Sequence, residues 1–242
     1  MREPDAAFAD PRQAVLYDVF DDDRSDLDAY VSIAAELGAR HVVDIGCGTG
    51  SLAVRLAGEG LSVVGVDPAK ASLDVAHTKP YADRVTWING DAAALAGLSV
   101  GADMAVMTGN VAQVFVSDED WSDTLTAVHA ALRPGGWFVF ETRRPEVRAW
   151  EGWDIAPTTV QLPDGRIAVV TRTVTVVDLP LVTFEGSTTI GDEILASSST
   201  LRFRDRPEIE HDLLSHGFTV SDVRGAPDRP GMEHVFVARA LG

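Results

Sequence analysis

The chain has 242 residues, 45% of them hydrophobic, enough to fill the core of one large α/β domain and too many for a disordered chain. Its 20 Lys and Arg against 37 Asp and Glu leave a formal charge of −17, which opposes binding to a nucleic-acid backbone or an acidic membrane surface. Cys47 is the single cysteine, so no intrachain disulfide can form. Residues 1–10 are polar and acidic and lack the apolar stretch of a secretory leader. No run is apolar enough to span a bilayer, and a soluble cytoplasmic protein is expected.

An acidic run at 18–28 reads as a solvated loop or helix face. Ser25 and Asp28 resemble an N-cap pair, after which Leu27, Tyr30, Val31 and Ala34 recur at helical spacing up to Gly38. Strands and helices then alternate. Residues 42–45 form a buried strand, and 51–57 the helix that follows. Residues 61–66 form a second strand ending at Asp67, and Pro68 starts a helix with Leu73 and Ala76 inward. Residues 85–88 and 104–107 form strands three and four, ending in Asn89-Gly90-Asp91 and Thr108-Gly109-Asn110. Trp121, Leu125, Val128 and Leu132 mark one helix face, and 137–140 form strand five. Short apolar strands separated by helices predict a parallel sheet covered on both sides.

The pattern changes after Trp150. Residues 166–177, 181–190 and 194–204 are rich in Val and Thr and are separated by Asp178-Leu179-Pro180 and Gly191-Asp192-Glu193, which predicts three antiparallel strands. A helix begins at Pro207, carries Ile209, Leu213 and Leu214, and stops at Gly217. Strands at 218–223 and 234–238 close the chain as a hairpin around the loop 225–231.

The segment Val42-Val43-Asp44-Ile45-Gly46-Cys47-Gly48-Thr49-Gly50 is a strand, a tight turn and a helix start. Glycines permit positive φ and let a ligand approach the main chain, while the helix start offers unpaired N–H groups. A dinucleotide turn has its third glycine at the sixth position of the motif, five residues after the first, and Ser51 stands in that position here. Asp67 suits ribose hydroxyls in either reading. Asp44, Asp67 and Asp91 end three strands and make an acidic rim, which fits a ligand with a sulfonium and an ammonium better than a pyrophosphate.

On these motifs, and on Asn89-Gly90-Asp91-Ala92 and Leu132-Arg133-Pro134-Gly135-Gly136, the chain resembles the class I S-adenosylmethionine-dependent methyltransferases that act on small molecules. The resemblance implies an α/β, doubly wound, seven-stranded, mostly parallel sheet of order 3-2-1-4-5-7-6 with strand 7 antiparallel, and an antiparallel β insertion after strand 5. It implies one domain over 1–242, with an N-terminal helical cap at 1–40 and the insertion at 151–205 as a substrate-side lid. It places Asp44, Gly46, Cys47 and Gly48 along the methionine part of S-adenosylmethionine, and Asp67 and Pro68 at the ribose and adenine edge. Asp91 and Ala92 fall at the adenine, Thr108, Gly109 and Asn110 near the methyl group, and Tyr17 over the cofactor.

Methyl transfer from a sulfonium is an in-line displacement that needs alignment and exclusion of water, with a base only where the acceptor must lose a proton. No catalytic signature is therefore required, and none is evident. Gln113, Arg143, Trp150 and Trp153 are candidates to meet a small-molecule acceptor, with Glu141 and Arg144 beside them. The histidines show no metal-ligand spacing, so no metal is expected. Two alternatives stay open: a nicotinamide-dependent oxidoreductase, against which Ser51 and the strand-three and strand-five segments count, and a non-catalytic cofactor-binding protein on the same fold.

Overall fold

A computed structural model describes residues 3–20, 23–96 and 101–242. Residues 1 and 2, and residues 21 and 22 of the acidic run, lie outside the described residues. Two helices open the chain, α1 (Ala6–Ala9) and α2 (Pro11–Phe20), followed by α3 (Asp28–Glu36). The predicted alternation then appears as β1 (His41–Ile45), α4 (Ser51–Gly58), β2 (Ser62–Asp67), α5 (Lys70–Ala76), β3 (Val85–Asn89), β4 (Ala102–Met107), α6 (Asp118–Ala131) and β5 (Leu132–Arg143). Four strands follow, β6 (Ile155–Gln161), β7 (Ile167–Asp178), β8 (Leu181–Ile190) and β9 (Glu193–Arg202), then α7 (Arg206–Ser215), β10 (Phe218–Arg224) and β11 (Glu233–Ala240).

The main sheet has seven strands in the order β10-β11-β5-β4-β1-β2-β3. Neighbours from β5 through β3 are parallel, and β11 runs antiparallel to both β5 and β10. With β10 and β11 as the sixth and seventh strands, this is the implied order. Alternate residues of each strand face opposite sides. Val43, Ile45, Ala105, Met107, Phe138 and Phe140 pack with α6 and α7 on one face. Val42, Met104, Val106 and Val139 pack with α3 and α4 on the other. Burial on both faces explains why the parallel strands read as continuous apolar runs.

The inserted sheet differs from expectation in having four strands, ordered β6-β7-β8-β9 and all antiparallel. β6 escapes sequence reading because only Ile155 and Val160 are even half-buried. It also carries Pro157, which is tolerated on an edge strand where the register shifts between Ile155 and Thr158. Two small apolar clusters fasten this sheet to the rest. Trp150, Val182 and Phe203 form one, and Leu16 of α2 joins Leu162 and Ala168 in the other. The Pro134-Gly135-Gly136 segment, expected as a turn before strand five, lies within β5, where the pairing with β4 shifts register. Among the described residues, no helix is long and apolar enough to cross a membrane.

Candidate functional site

The glycine turn leaves β1 at the carboxyl edge of the sheet. Gly46 and Cys47 donate to the carbonyl of Val66 at 2.8 and 3.1 Å, so the turn is tied to β2. Gly46 has φ +69°, and a Cβ there would stand 2.7 Å from both methyl groups of Val111. Gly48 has φ +54°, yet nothing lies within 4 Å of the place its Cβ would take, so the turn is open on that side. Glycine at 46 is thus demanded by both conformation and packing, and at 48 by conformation.

Three acids end the first three strands, each in a different state. Asp44 is 1% exposed, and neither carboxylate oxygen has a hydrogen-bond partner among the described residues. Burial, and then the charge of Asp67, push its carboxyl up to about 7, against the Ala53 amide and the charge of Arg24. Asp67, by contrast, is engaged by the chain itself. Its Oδ2 accepts from the Gly48 amide at 2.8 Å and its Oδ1 from the Ala69 amide at 2.8 Å, so it also holds the glycine turn against β2. Burial raises its carboxyl, and these two amides oppose the rise. Asp91 caps the short helix Ala92–Leu95, accepting from the Ala93 amide at 3.0 Å. The Cys47 thiol is pushed well up by burial, and secondarily by Asp44 and Asp67, so it is no nucleophile at neutral pH.

These residues surround a cavity of about 380 Å³, within the range of small-molecule sites. Asp44, Gly46, Cys47, Gly48, Asp67, Pro68, Asp91, Ala92, Thr108 and Gly109 all line it, as does Tyr17. Tyr17 reaches it from α2, against Phe8 with ring centroids 5.6 Å apart. The segment carrying Phe8 and Tyr17 is fastened on two sides. Lys79 pairs with Asp18 at 2.7 Å and donates to Thr49 and Ser51 beside the glycine turn. Gln13 donates to the Ala196 carbonyl of β9, and Ser199 donates to Asp5. Residues that sequence reasoning missed complete the wall: Glu3, Asp5, Phe8, Arg24, Phe115 and Thr124. Arg24 is the one basic side chain on this wall among the described residues. No local signal marks these positions, since none of them stands at the end of a strand of the main sheet.

Five predicted site residues do not reach the cavity. Asn110 is 2% exposed, and its side-chain amide donates to Glu233 at 2.9 Å. Gln113 is buried and accepts from Arg143 at 3.0 Å, and the Arg143 guanidinium lies 5.0 Å over the Trp153 ring. Trp150 packs edge-on against Phe203 at 4.7 Å, and Trp153 against Phe184 at 5.3 Å. Both tryptophans belong to the apolar cluster of Val174, Val182, Leu201 and Phe203 in and beside the inserted sheet. No residue of 151–205 stands on the cavity wall, whereas the N-terminal segment reaches it with Glu3, Asp5, Phe8 and Tyr17 and is tied to β9 behind it.

Comparison with known proteins adds the following. Residues 42–136 match a family described as a methyltransferase domain. The chain is 32% identical to a cypemycin N-terminal methyltransferase of a Streptomyces species over 145 residues, 60% of this chain and 59% of that protein. The chain spans about half the length of the curated relatives it matches. In fold it is similar to the CcbJ methyltransferase of Streptomyces caelestis, with a TM-score of 0.76, 22% identity and 100% of both chains covered. It is similar as well to CalS10, an amino pentose methyltransferase from Micromonospora echinaspora, with a TM-score of 0.72, 22% identity, and 90% of this chain and 93% of that one covered.

Proposed function

We propose that this chain, which carries a methyltransferase domain over residues 42–136, transfers the methyl group of S-adenosylmethionine to a nucleophilic atom of a small molecule. The observation that carries the reading is Asp44. A carboxylate 1% exposed stands on the wall of a cavity beside an open glycine turn with no hydrogen-bond partner among the described residues, its burial offset only by the Ala53 amide and the charge of Arg24. Burying such a charge unpaired is costly, and an ammonium group there offsets the cost.

The residues present fit the cofactor. Asp44 would receive the ammonium of its methionine part, and Arg24 the carboxylate. The main chain of Gly46, Cys47 and Gly48 would run along this part. Asp67 and Pro68 would border the ribose, through the lone pairs of Asp67 that Gly48 and Ala69 leave free. Asp91 and Ala92 would border the adenine, with Thr108 and Gly109 at the methyl-bearing end and Tyr17 above. When bound, the cofactor supplies an electrophilic methyl group on an excellent leaving group. What remains for the chain is alignment and the exclusion of water, for which the rings of Phe8, Tyr17 and Phe115 on the wall are suited.

Nitrogen is the favoured acceptor atom. Glu3 and Asp5 add negative charge to the wall, which attracts an amine and offers carboxylates to take its proton. The name of one relative, an N-terminal methyltransferase, agrees with this reading, while others are named O-methyltransferases, and a panel of acceptors separates the two. Among the described residues Arg24 is the only wall cation to meet a pyrophosphate, which argues against a nicotinamide cofactor.

Calorimetry with S-adenosylhomocysteine and with NAD tests the cofactor: binding of NAD alone would overturn the reading. Transfer of a tritiated methyl group across a panel of small amines and alcohols tests the acceptor. Preference for alcohols would overturn the choice of nitrogen, and no transfer to any acceptor despite tight binding would favour a non-catalytic cofactor-binding protein.

A further inference from the structure

We propose that Glu141 is a positioning residue for methyl transfer, acting from outside the cavity to hold the main-chain turn at 108–110 that forms the cavity's methyl-side wall. This rests on the reading of the cavity as a methyl-donor site.

Glu141 is 1% exposed and does not line the cavity. It follows Phe140, which pairs with Met107 of β4, so its side chain lies beside the chain leaving β4. One carboxylate oxygen accepts from the Gly109 amide at 2.6 Å and from the Asn110 amide at 3.3 Å. Gly109 and Asn110 have φ of +67° and +61°. Successive amides turned to one side form a concave anion site, and here Glu141 fills it. A left-handed Asn persists only where its surroundings over-determine it, and Asn110 is held at both main chain and side chain.

The other oxygen of Glu141 accepts from the Tyr30 hydroxyl of α3 and lies 3.5 Å from Arg229. Arg229 also meets Glu233 of β11 at 3.1 Å, the same oxygen that receives the Asn110 side chain. Arg143 stands 3.9 Å from that oxygen. Burial, then Glu233, push the Glu141 carboxyl up to about 7, and Tyr30 and Arg229 oppose the rise.

Thr108 and Gly109 line the cavity, while Glu141, Tyr30, Glu233 and Arg229 do not. A wall made of main chain takes its position from whatever holds its amides. Loss of Glu141 would therefore be felt at the methionine end of the cofactor and not at the adenosine end, where Asp67 and Asp91 stand.

Calorimetry on Glu141→Ala, Glu141→Gln and Tyr30→Phe, each with S-adenosylhomocysteine and with adenosine, separates the two ends. For Glu141→Ala we expect about tenfold weaker binding of S-adenosylhomocysteine with adenosine affinity within about twofold. Glu141→Gln keeps one acceptor for Gly109 and should weaken S-adenosylhomocysteine binding by about threefold with adenosine affinity unchanged, and Tyr30→Phe should fall near it. A merely structural role would weaken both ligands together, and that result overturns the proposal. So does unchanged binding of both ligands by folded Glu141→Ala. Should Glu141→Ala not fold, Glu141→Gln carries the test: equal fold-changes for the two ligands, or none, overturn the proposal. If the unsubstituted protein binds neither ligand, the methyl-donor reading fails instead.

Discussion

The carboxyl edge of the parallel sheet and the inserted antiparallel sheet solve opposite problems. At the edge, a buried carboxylate stands without a partner, and the main chain adopts positive φ at Gly46, Gly48, Gly109 and Asn110. In the insertion, polar groups pair with one another. Thr171 meets Ser187 at 2.8 Å, Thr183 meets Thr200 at 2.9 Å, Arg172 donates to the Trp153 carbonyl, and Asp154 accepts from the Val174 amide. A region whose polar groups pair with one another in this way has little to offer a ligand and serves as scaffold, although Arg202 Nε of β9 is buried without a hydrogen-bond partner among the described residues. A region with an unmet buried charge is destabilised until a ligand completes it. The two are joined by α2, which presents Tyr17 to the cavity and packs Leu16 against Leu162 and Ala168 of the insertion.

Substitutions in each region sharpen this contrast. The largest effect is expected from Trp150→Ala, which empties the seam against Phe203 and Val182 and should cost about 3–5 kcal/mol of stability by chemical denaturation. S-adenosylhomocysteine affinity of the folded protein should stay unchanged, and a marked loss would bring the insertion into the site itself.

Next comes Asp44→Asn, expected to weaken that ligand by about 2–4 kcal/mol in calorimetry. In the cofactor-free protein the same change should stabilise the fold at neutral pH. The folded-state carboxyl of Asp44 sits near 7, above its usual 3.8, so the folded protein holds the proton more tightly. Its contribution to stability is therefore full below about pH 4 and lost as pH rises toward 7. Thermal melts across that window should show a shallower decline in Asp44→Asn, and an unaltered slope would mean that Asp44 is not the buried acid responsible.

Asp67→Ala is expected to weaken S-adenosylhomocysteine by about 1.5–3 kcal/mol, since it removes an acceptor and frees the Gly48 amide. Unchanged affinity would reduce Asp67 to a turn residue. The smallest effect belongs to Lys79→Met, which breaks a half-exposed pair with Asp18. It should change stability by no more than about 1 kcal/mol. In stopped-flow measurements it should speed cofactor release, because α2 is held to the glycine turn there.

Much of the main sheet was legible because its information is local. Apolar runs of four to six residues, strand-end acids and a glycine turn lie within short windows, and β1 to β5 fall where the alternation puts them. The candidate site divides along the same line. Asp44, Gly46, Gly48, Asp67 and Asp91 all line the cavity, and each lies at or just beyond the end of a strand that the sequence marks. Asn110, Gln113, Arg143, Trp150 and Trp153 could not be placed, because their partners are distant in sequence: Asn110 meets Glu233, and Trp150 meets Phe203. β6, exposed and interrupted by Pro157, leaves no apolar alternation to read.

The sequence by itself determined the fold class, the turn and the acidic rim, since steric freedom at glycine and charge at a strand end are properties of single residues and short windows. Only the tertiary structure decided which acid lacks a hydrogen-bond partner, that Asp67 is engaged by two amides, that residues of the N-terminal segment line the cavity, and that Glu141 sits behind its wall. Those outcomes depend on which groups compete for one buried hydrogen bond, and the competitors meet only once the chain has folded.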